Sequence, residues 1–167
     1  AQTSEKAETF LVSGLSAHEA GRYNDAITNY RKALDIYEKL GEESGVATCC
    51  GIIGGVYHSW GRYDDAIANY RKALVISGKL GNNSDVAMYL NGIGNVYISW
   101  GRYDSAMANF REALAIDEKL GEESGGIWSR VVYGRTSGGG LHDSVDERTA
   151  GDERGDPRRL IQSSPSL

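Results

Sequence analysis

The sequence repeats itself with a period of 40 residues, and this repeat limits the possible folds more than any other feature. The tripeptide Gly-Arg-Tyr occurs at residues 21–23, 61–63 and 101–103. Residues 21–60 and 61–100 are identical at 25 of 40 aligned positions. A period of about 20 to 50 residues is typical of arrays in which each unit buries its apolar face by stacking on its neighbours. The sequence therefore predicts a stacked repeat protein.

Each unit is predicted to form two antiparallel helices joined by the Gly-Arg-Tyr turn. In the second unit, apolar residues recur at steps of three and four between Asp64 and Leu80, which places them on one face of a helix. The residues expected to cap the second helices are Asn24, Asp64 and Asp104. The residues expected to end them are Gly41, Gly81 and Gly121. The serines expected to cap the helices that follow are Ser44, Ser84 and Ser124.

The residues that carry this pattern resemble the tetratricopeptide repeat. That family has a Gly and a Tyr in its first helix, a Gly-x-Tyr turn, and an Ala, an aromatic residue and a second Ala in its second helix. The second unit supplies these as Gly54, Tyr57, Gly61, Tyr63, Ala66, Tyr70 and Ala73. The resemblance covers residues 7–120, and the long period is most similar to kinesin light chains, Pins-type regulators of G-protein signalling, and bacterial or archaeal arrays. The family's usual period is about 34 residues, and its common closing proline is absent from all three units.

The resemblance implies an all-α fold, namely a right-handed superhelical α-solenoid of stacked antiparallel helix pairs. We expect three repeats within residues 1–125, at about 7–44, 45–84 and 85–124. After Ser124 the repeat stops and lysine no longer occurs. Residues 126–167 form an atypical tail with three open interpretations: a degenerate fourth repeat with a capping helix at 126–136, a disordered extension, or non-native sequence.

Composition excludes several classes of function. No apolar run approaches the roughly 18 residues that span a bilayer, so a membrane protein is not expected. A net charge of −5 lacks the basic footprint of a nucleic-acid-binding protein. The two cysteines, Cys49 and Cys50, are adjacent, which excludes a disulfide scaffold and favours a reducing, cytoplasmic location. The chain begins with Ala1 rather than Met, so we expect a processed or truncated N terminus.

The sequence contains no recognisable catalytic or metal-binding motif, so we predict a protein that is not an enzyme and needs no cofactor. It has no Gly-rich phosphate loop, zinc-ligand spacing or nucleophile elbow. His18 and His58 occupy equivalent places in two units, but side chains on adjacent packed helices start about 8–10 Å apart, which makes them a poor metal pair. Both are expected on the surface or in a groove. Arg31, Arg71 and Arg111 are expected to form a salt network on the second helices.

Stacking of the kind found in the family implies a concave groove lined by the first helices, where peptides of partner proteins bind. Asn91 and Asn95 are four residues apart and share a helix face, and each amide offers a donor and an acceptor. Asn95 matches the family's groove asparagine, and Asn91 matches one found in kinesin light chains. Gly51 and Gly55 are expected to leave the groove floor bare, which would admit a bulky side chain of the partner. A solvated Asn pair and tolerated drift at the glycines remain the alternatives. The other expected groove residues are Leu15, His18, His58, Ser59, Met88 and Ile98.

The predicted function is that of a non-enzymatic scaffold that binds a peptide segment of a protein partner. One alternative is a structural unit that forms a homo-oligomer through an uncapped C-terminal end, since terminal repeats normally need a polar cap. The apolar face expected there consists of Ala113, Ile116 and Leu120. Another alternative is a sensor fragment of a larger protein. Neither nucleic acid nor a membrane is an expected partner.

Overall fold

The protein forms a row of helices. The computed structural model describes residues 3–124, which contain six α-helices and, within that range, no strand. The helices are α1 (Ser4–Glu19), α2 (Tyr23–Leu40), α3 (Glu43–Ser59), α4 (Tyr63–Lys79), α5 (Asn83–Ser99) and α6 (Tyr103–Ser124). The three interpretations of residues 126–167, including the capping helix at 126–136, lie outside the described residues.

The helices pack as three pairs that stack in sequence order. The first helices (α1, α3 and α5) each pack against the second helix that follows them (α2, α4 and α6). Successive pairs join where α2 meets α3 and where α4 meets α5. The predicted all-α repeat solenoid is thereby confirmed. Within the described residues, no helix is long and apolar enough to cross a membrane.

Glycines in the left-handed backbone region make the turns between helices. Gly21, Gly61 and Gly101 have φ angles of 71°, 77° and 75°. At the first turn, the Gly21 N–H donates to the His18 carbonyl at 2.9 Å, and the next N–H donates to the Ala17 carbonyl at 2.8 Å. These bonds satisfy carbonyls at the end of α1, and glycine adopts this conformation without steric cost. The Gly-Arg-Tyr tripeptide therefore reverses the chain within three residues.

The predicted caps of α2 and α4 are wrong by two positions. α2 begins at Tyr23 and α4 at Tyr63, with Arg22 and Arg62 as the N-cap residues and no side-chain capping bond. The tight glycine turn returns the chain directly to helical geometry, so no residue is left over for a capping side chain. Asn24, Asp64 and Asp104 lie inside the first turn instead. There, Asp64 and Asp104 can still interact with the positive end of the helix dipole.

Two further boundaries differ from the sequence prediction. α6 continues through Gly121 to Ser124, although Gly121 was expected to end it. Gly41 and Gly81 adopt positive φ just after the ends of α2 and α4, as expected. A glycine inside a helix costs only about 1 kcal/mol relative to alanine, so it stops a helix only where the chain must turn. Ser44 and Ser84 lie within α3 and α5 rather than capping them.

Small residues let the paired helices approach closely. Ala26, Ala66 and Ala106 are fully buried at equivalent positions of the three second helices. The core between repeats is filled by branched side chains of α3 and α5, including Ile53, Val56, Ile93 and Val96. Both cysteines are buried as well, and burial raises the pKa of Cys49 to about 12. The thiols are therefore packing residues, as the sequence predicts for Cys50.

Candidate functional site

A groove of about 950 Å³ crosses the face formed by the first helices. This volume is within the range of about 300–1,000 Å³ found for ligand sites. The groove reaches from α1 to α6 and is floored in part by tyrosines of the second helices. The predicted groove residues that line it are Leu15, His18, Gly51, Gly55, Met88, Asn91 and Asn95.

Three predicted groove residues, His58, Ser59 and Ile98, lie outside the groove lining. They are placed in the last turn of α3 or α5, beside the glycine turns, where side chains connect neighbouring repeats. His58 Nε2 lies 2.7 Å from Ser99 Oγ, and His18 Nε2 lies 3.0 Å from Ser59 Oγ. Burial lowers the pKa of His58. The histidine–serine bonds therefore couple successive repeats at the edge of the array.

The space above Gly51 is filled rather than open. A Cβ atom at Gly51 would lie 2.3 Å from Cε1 of Tyr89, which belongs to the next repeat. Tyr89 is 4% exposed, and its hydroxyl donates to the Ala47 carbonyl at 3.3 Å. The prediction of a bare floor at Gly51 is wrong, because the aromatic ring of a neighbouring helix occupies the volume that the missing side chain leaves.

The groove floor near Gly55 is more open and is marked by the Tyr70 hydroxyl. A Cβ atom at Gly55 would have this oxygen as its nearest neighbour, at 3.4 Å, and a Cβ at Gly92 would lie 3.0 Å from the Tyr70 ring. Within the described residues, no hydrogen bond joins that hydroxyl to another group. The two glycines therefore leave room for a tyrosine whose polar end faces the groove.

The two asparagines differ in their surroundings. Asn95 is exposed at the groove, whereas Asn91 is partly buried. The Asn91 Oδ1 atom is inaccessible to solvent and has no hydrogen-bond partner within the described part of the chain. A buried acceptor without a partner costs about 1–3 kcal/mol.

Exposed apolar side chains form the upper walls of the groove. Val12 and Leu15 on α1 are 68% and 50% exposed, and Met88 on α5 is 53% exposed. All three line the groove, so two apolar walls face each other across α3. Apolar area exposed on both sides of a concave surface is typical of a protein-interaction site.

The charged groups of the groove are carboxylates. Asp85 and Asp117 line it, and among residues 3–124 no lysine or arginine does. The Asn82 side-chain amide donates to Asp85 Oδ2 at 2.7 Å and holds that carboxylate in place. Loss of hydration raises the pKa of Asp117. Desolvation, with a contribution from Asp85, also raises the pKa of Tyr89 to about 12.

A set of packed aromatic rings at the edge of the array was not predicted from the sequence. Tyr23 and Trp60 have ring centroids 5.8 Å apart, and Tyr63 and Trp100 repeat the arrangement at 5.8 Å. The Arg102 guanidinium lies 3.7 Å from the Trp100 ring centroid. The recurring Trp-Gly-Arg-Tyr at 60–63 and 100–103 was the available signal, since each copy supplies a tryptophan that packs against the tyrosine of the preceding turn.

The predicted salt network of the second helices is wrong for Arg31 and Arg71. Arg31 donates to the Tyr57 hydroxyl at 3.3 Å and Arg71 to the Tyr97 hydroxyl at 3.5 Å. Both acceptors lie on the following first helix, which is closer to these guanidinium groups than any carboxylate of their own helix. Within the described residues, the ion pairs are Arg22–Asp25, Lys39–Asp35 and Arg62–Asp65.

The predicted assembly face is part of the interior. Ala113 is 1% exposed and packs with Ala87 and Leu90 of α5, while Ile116 packs against the same cluster. Leu120 is partly buried. The prediction fails for Ala113 and Ile116 because their side chains pack against their own first helix. The large apolar side chains that α6 exposes are Tyr103 and Met107, at 63% and 48%.

The two ends of the array differ in chemistry. Met107 occupies the position of Ile27 and Ile67, which are each 6% exposed because the next repeat covers them. At the other end, α1 has the exposed polar residues Thr9, Ser13 and Ser16. The residues at the equivalent positions of α3 are Cys49, Ile53 and Val56, all of them buried. The first helix thus presents a polar end, and the last presents an apolar one.

Within the described residues, no group of three or more His, Cys, Asp or Glu side chains could hold a metal ion. The histidines are separated by the repeat spacing and are bonded to serines. The groove therefore offers hydrogen bonds, apolar contact and negative charge.

The fold is a helical-repeat solenoid with a groove on the face of its first helices. The chain belongs to the tetratricopeptide repeat family, whose sequence profile matches residues 5–79 and 52–119. Repeats of this family generally mediate protein–protein interactions as non-enzymatic scaffolds.

Solved structures share the fold at low sequence identity. The TPR domain of Arabidopsis FLU is similar with a TM-score of 0.63 and 19% identity, over 69% of this chain and 97% of that one. Aspartyl phosphate phosphatase F from Bacillus subtilis is similar with a TM-score of 0.68 and 19% identity, over 88% of this chain but 37% of that one. The N-terminal domain of stress-induced protein-1 from C. elegans gives a TM-score of 0.58 and 17% identity, over 71% and 94%. No curated protein sequence matches the chain.

Proposed function

We propose that this protein is a scaffold that binds a peptide segment of a partner protein in the groove of the first helices. The observation that carries the proposal is the asparagine pair on α5, in which Asn91 and Asn95 both line the groove. A peptide backbone can supply N–H and C=O groups to such amides. Asn95, one helical turn further, offers a second amide on the same face.

The surrounding groove suits a chain rather than a compact small molecule. It extends across all three first helices, and its exposed apolar walls lie on the outermost two of them. A peptide backbone can use the asparagine amides while its side chains contact Val12, Leu15 or Met88. Burial of one large apolar side chain contributes about 1.5–3 kcal/mol, which is comparable with the contribution of the polar contacts.

The test is selection of binding sequences from a displayed random peptide library, using the full chain as bait. An Asn91→Ala/Asn95→Ala variant is expected to lose binding of the selected peptides by at least about tenfold, because two amide contacts are removed. The matched control is Asn24→Ala/Asn83→Ala, which truncates two exposed asparagines outside the groove lining. Equal binding by both variants, with circular dichroism showing both folded, would reject the asparagine contacts. Failure of any sequence to enrich would reject peptide binding.

A second candidate, self-association, is supported by the unequal ends of the array. The polar residues Thr9, Ser13 and Ser16 make the first end unsuitable for stacking on the exposed Tyr103 and Met107 of the last. Two copies joined through their α6 faces would bury apolar surface from both. Such an arrangement is isologous and closes at a dimer, whereas head-to-tail stacking would continue as a filament.

Light scattering over a range of protein concentration tests this candidate. A dimer that dissociates on Met107→Ser but persists in Val75→Ser supports it, since Val75 is an equally exposed apolar residue of α4. A monomer at all concentrations, or a series of growing oligomers, contradicts it.

A further inference from the structure

The second repeat places its core tyrosine differently from the first. Tyr30 and Tyr70 occupy equivalent positions of α2 and α4. A Cβ atom at Gly14 of α1 would lie 2.6 Å from Cε1 of Tyr30, so this ring covers the first helix of its own pair. The far end of the Tyr70 ring reaches the next pair instead, where a Cβ atom at Gly92 of α5 would lie 3.0 Å from it. Ile52 stands at the position of Gly92 one repeat earlier, so beside Tyr30 that space holds a side chain.

This placement brings the Tyr70 hydroxyl to the groove floor beside Gly55. A Cβ atom at Gly55 would have the hydroxyl oxygen as its nearest neighbour, at 3.4 Å. Tyr70 is half-buried and lines the groove, and among residues 3–124 its hydroxyl has no hydrogen-bond partner. On α1 the position of Gly55 is occupied by Leu15. We call the space above Gly55 the Gly55 hollow: it stands where the first repeat has a leucine side chain, and its floor is a hydroxyl that is free to form a hydrogen bond.

We propose that the Gly55 hollow receives one side chain of the bound peptide and selects a long, uncharged side chain that ends in a hydrogen-bonding group, with glutamine the best match. This inference rests on the proposed peptide-binding function and names a specificity contact within it. The aliphatic stem would lie over Gly55, in the place that a leucine takes on α1. The terminal carboxamide would form a hydrogen bond with the Tyr70 hydroxyl.

The chemistry of the hollow disfavours the other classes of side chain. A purely apolar side chain would cover the Tyr70 hydroxyl and leave it without a partner, which costs free energy. A carboxylate would enter a groove that no lysine or arginine among residues 3–124 lines, and an ammonium or guanidinium group would exchange its hydration for a single neutral hydroxyl. A carboxamide carries both donors and acceptors and needs no opposite charge.

The depth of the hollow favours a long side chain. Leu15 and Met88 are 50% and 53% exposed, and both line the groove above its floor. A peptide that rests on these side chains is held away from the Tyr70 hydroxyl. Serine, threonine and asparagine are therefore too short to reach it, whereas glutamine has one more methylene group than asparagine.

The first experiment removes the hydroxyl and keeps the ring. Peptides selected on the full chain are expected to share glutamine at one position, and fluorescence anisotropy compares each peptide with its leucine-substituted form. The wild-type chain should prefer glutamine about fivefold, and Tyr70→Phe should lose this preference because one hydrogen bond is removed. Phe110 occupies the equivalent position of α6, so phenylalanine suits this packing site. Tyr37→Phe is the matched control and should keep the preference, because Tyr37 is a buried second-helix tyrosine outside the groove lining.

The second experiment fills the hollow. Gly55→Leu introduces the residue found at this position on α1 and should weaken binding of the glutamine peptides at least about tenfold. The control is Gly78→Leu, an exposed helical position where a Cβ atom would meet nothing within 4 Å, and it should leave the affinity within about twofold.

Three results would overturn this inference and leave peptide binding intact. They are selected peptides with an apolar or charged residue at the position most sensitive to Gly55→Leu, a glutamine preference that persists in Tyr70→Phe, and equal losses of affinity in Gly55→Leu and Gly78→Leu. Absence of any enriched peptide would overturn peptide binding itself, and the glutamine contact with it.

Discussion

At the scale of single residues, the space around each glycine decides what it contributes. Gly51 and Gly78 both lie within helices, where glycine is about 1 kcal/mol less favourable than alanine. A Cβ atom at Gly51 would collide with the Tyr89 ring, whereas a Cβ at Gly78 would meet nothing within 4 Å. The same substitution should therefore have opposite effects at the two positions.

We expect Gly51→Ala to lower the free energy of unfolding by about 1–3 kcal/mol, because the added Cβ atom would lie 2.3 Å from Cε1 of the buried Tyr89 ring. Gly78→Ala should raise it by up to about 1 kcal/mol through helix propensity. Urea unfolding followed by circular dichroism measures both. A stabilising effect of Gly51→Ala would show that the Tyr89 ring can be displaced at little cost.

A second residue-scale prediction concerns Ser77, whose hydroxyl is buried and has no hydrogen-bond partner in the described part of the chain. Ser77→Ala removes this unsatisfied group and should raise the free energy of unfolding by about 1 kcal/mol beyond the effect of helix propensity. Ser16→Ala is the control, because Ser16 is an exposed serine inside α1. Equal gains in thermal or urea stability for the two variants would contradict the prediction.

At the scale of helices, the edge beside the glycine turns joins one helix pair to the next by polar contacts and stacked rings. His58 of α3 contacts Ser99 of α5, and the Tyr63 ring of α4 packs against Trp100. These contacts repeat those that His18 and Tyr23 make with the second repeat. In the third repeat Ile98 occupies the position of His18 and His58. An isoleucine cannot form the histidine–serine hydrogen bond that joins the earlier repeats.

Stability should depend on pH through His58. Burial lowers its pKa from the usual 6.5, so the folded chain keeps this imidazole neutral while the unfolded chain takes up the proton first. Its contribution to stability is therefore complete above about pH 6.5 and is lost as the pH falls from there toward the folded-state pKa. When the pH is lowered from about 7.5 to about 5.5, the free energy of unfolding measured in urea should fall less for His58→Gln than for the wild-type chain. Equal losses in the two proteins would exclude this role.

At the scale of the whole array, each helix packs mainly on its neighbours along the sequence. Stability is then a sum of the repeats and of the interfaces between them, so a local change should weaken one end more than the other. Trp60 packs against Tyr23 of the first repeat and Trp100 against Tyr63 of the second. The two tryptophans therefore report on different interfaces of one molecule.

Trp60→Ala should reduce the hydrogen-exchange protection of α1 and α2 more than that of α5 and α6, and Trp100→Ala should do the reverse. Each substitution should cost roughly 3 kcal/mol at the interface that it touches, because a partly buried ring is lost. Mass spectrometry of exchanged peptides gives the distribution along the chain. Uniform loss of protection in both variants would mean that the described repeats unfold as a single cooperative unit.

The period of the sequence predicted the number and order of helices because each helix is specified locally, by its apolar spacing and its glycine turns. The helix starts at Tyr23 and Tyr63 were displaced from the predicted caps because the turn is shorter than a capped one. The filled space above Gly51 could not be predicted from the repeat alignment. Gly51 aligns with Asn91, whereas the ring that fills its space belongs to Tyr89, which aligns with Cys49.

Of the candidate site, the asparagines and Met88 were predicted at the groove because they lie on the inward face of one helix. His58, Ser59 and Ile98 were placed there too, but the helix ends at the glycine turn and carries them to the edge of the array. The assembly face was misplaced because helical spacing alone does not distinguish the side that faces the partner helix from the side that faces the next repeat. Burial of Ala113 and exposure of Met107 separate the two.

The contact between Gly51 and Tyr89 limits how such arrays can be recombined. The floor of the second unit is completed by a ring that the third unit supplies, so neither unit carries its own part of the surface in full. A third unit with cysteine in place of Tyr89 would leave a cavity above Gly51. A second unit with asparagine at position 51 would bring that side chain into collision with the Tyr89 ring. Duplication or grafting should preserve the groove only when the two units are inherited together, which makes the pair, rather than the single repeat, the modular unit of this surface.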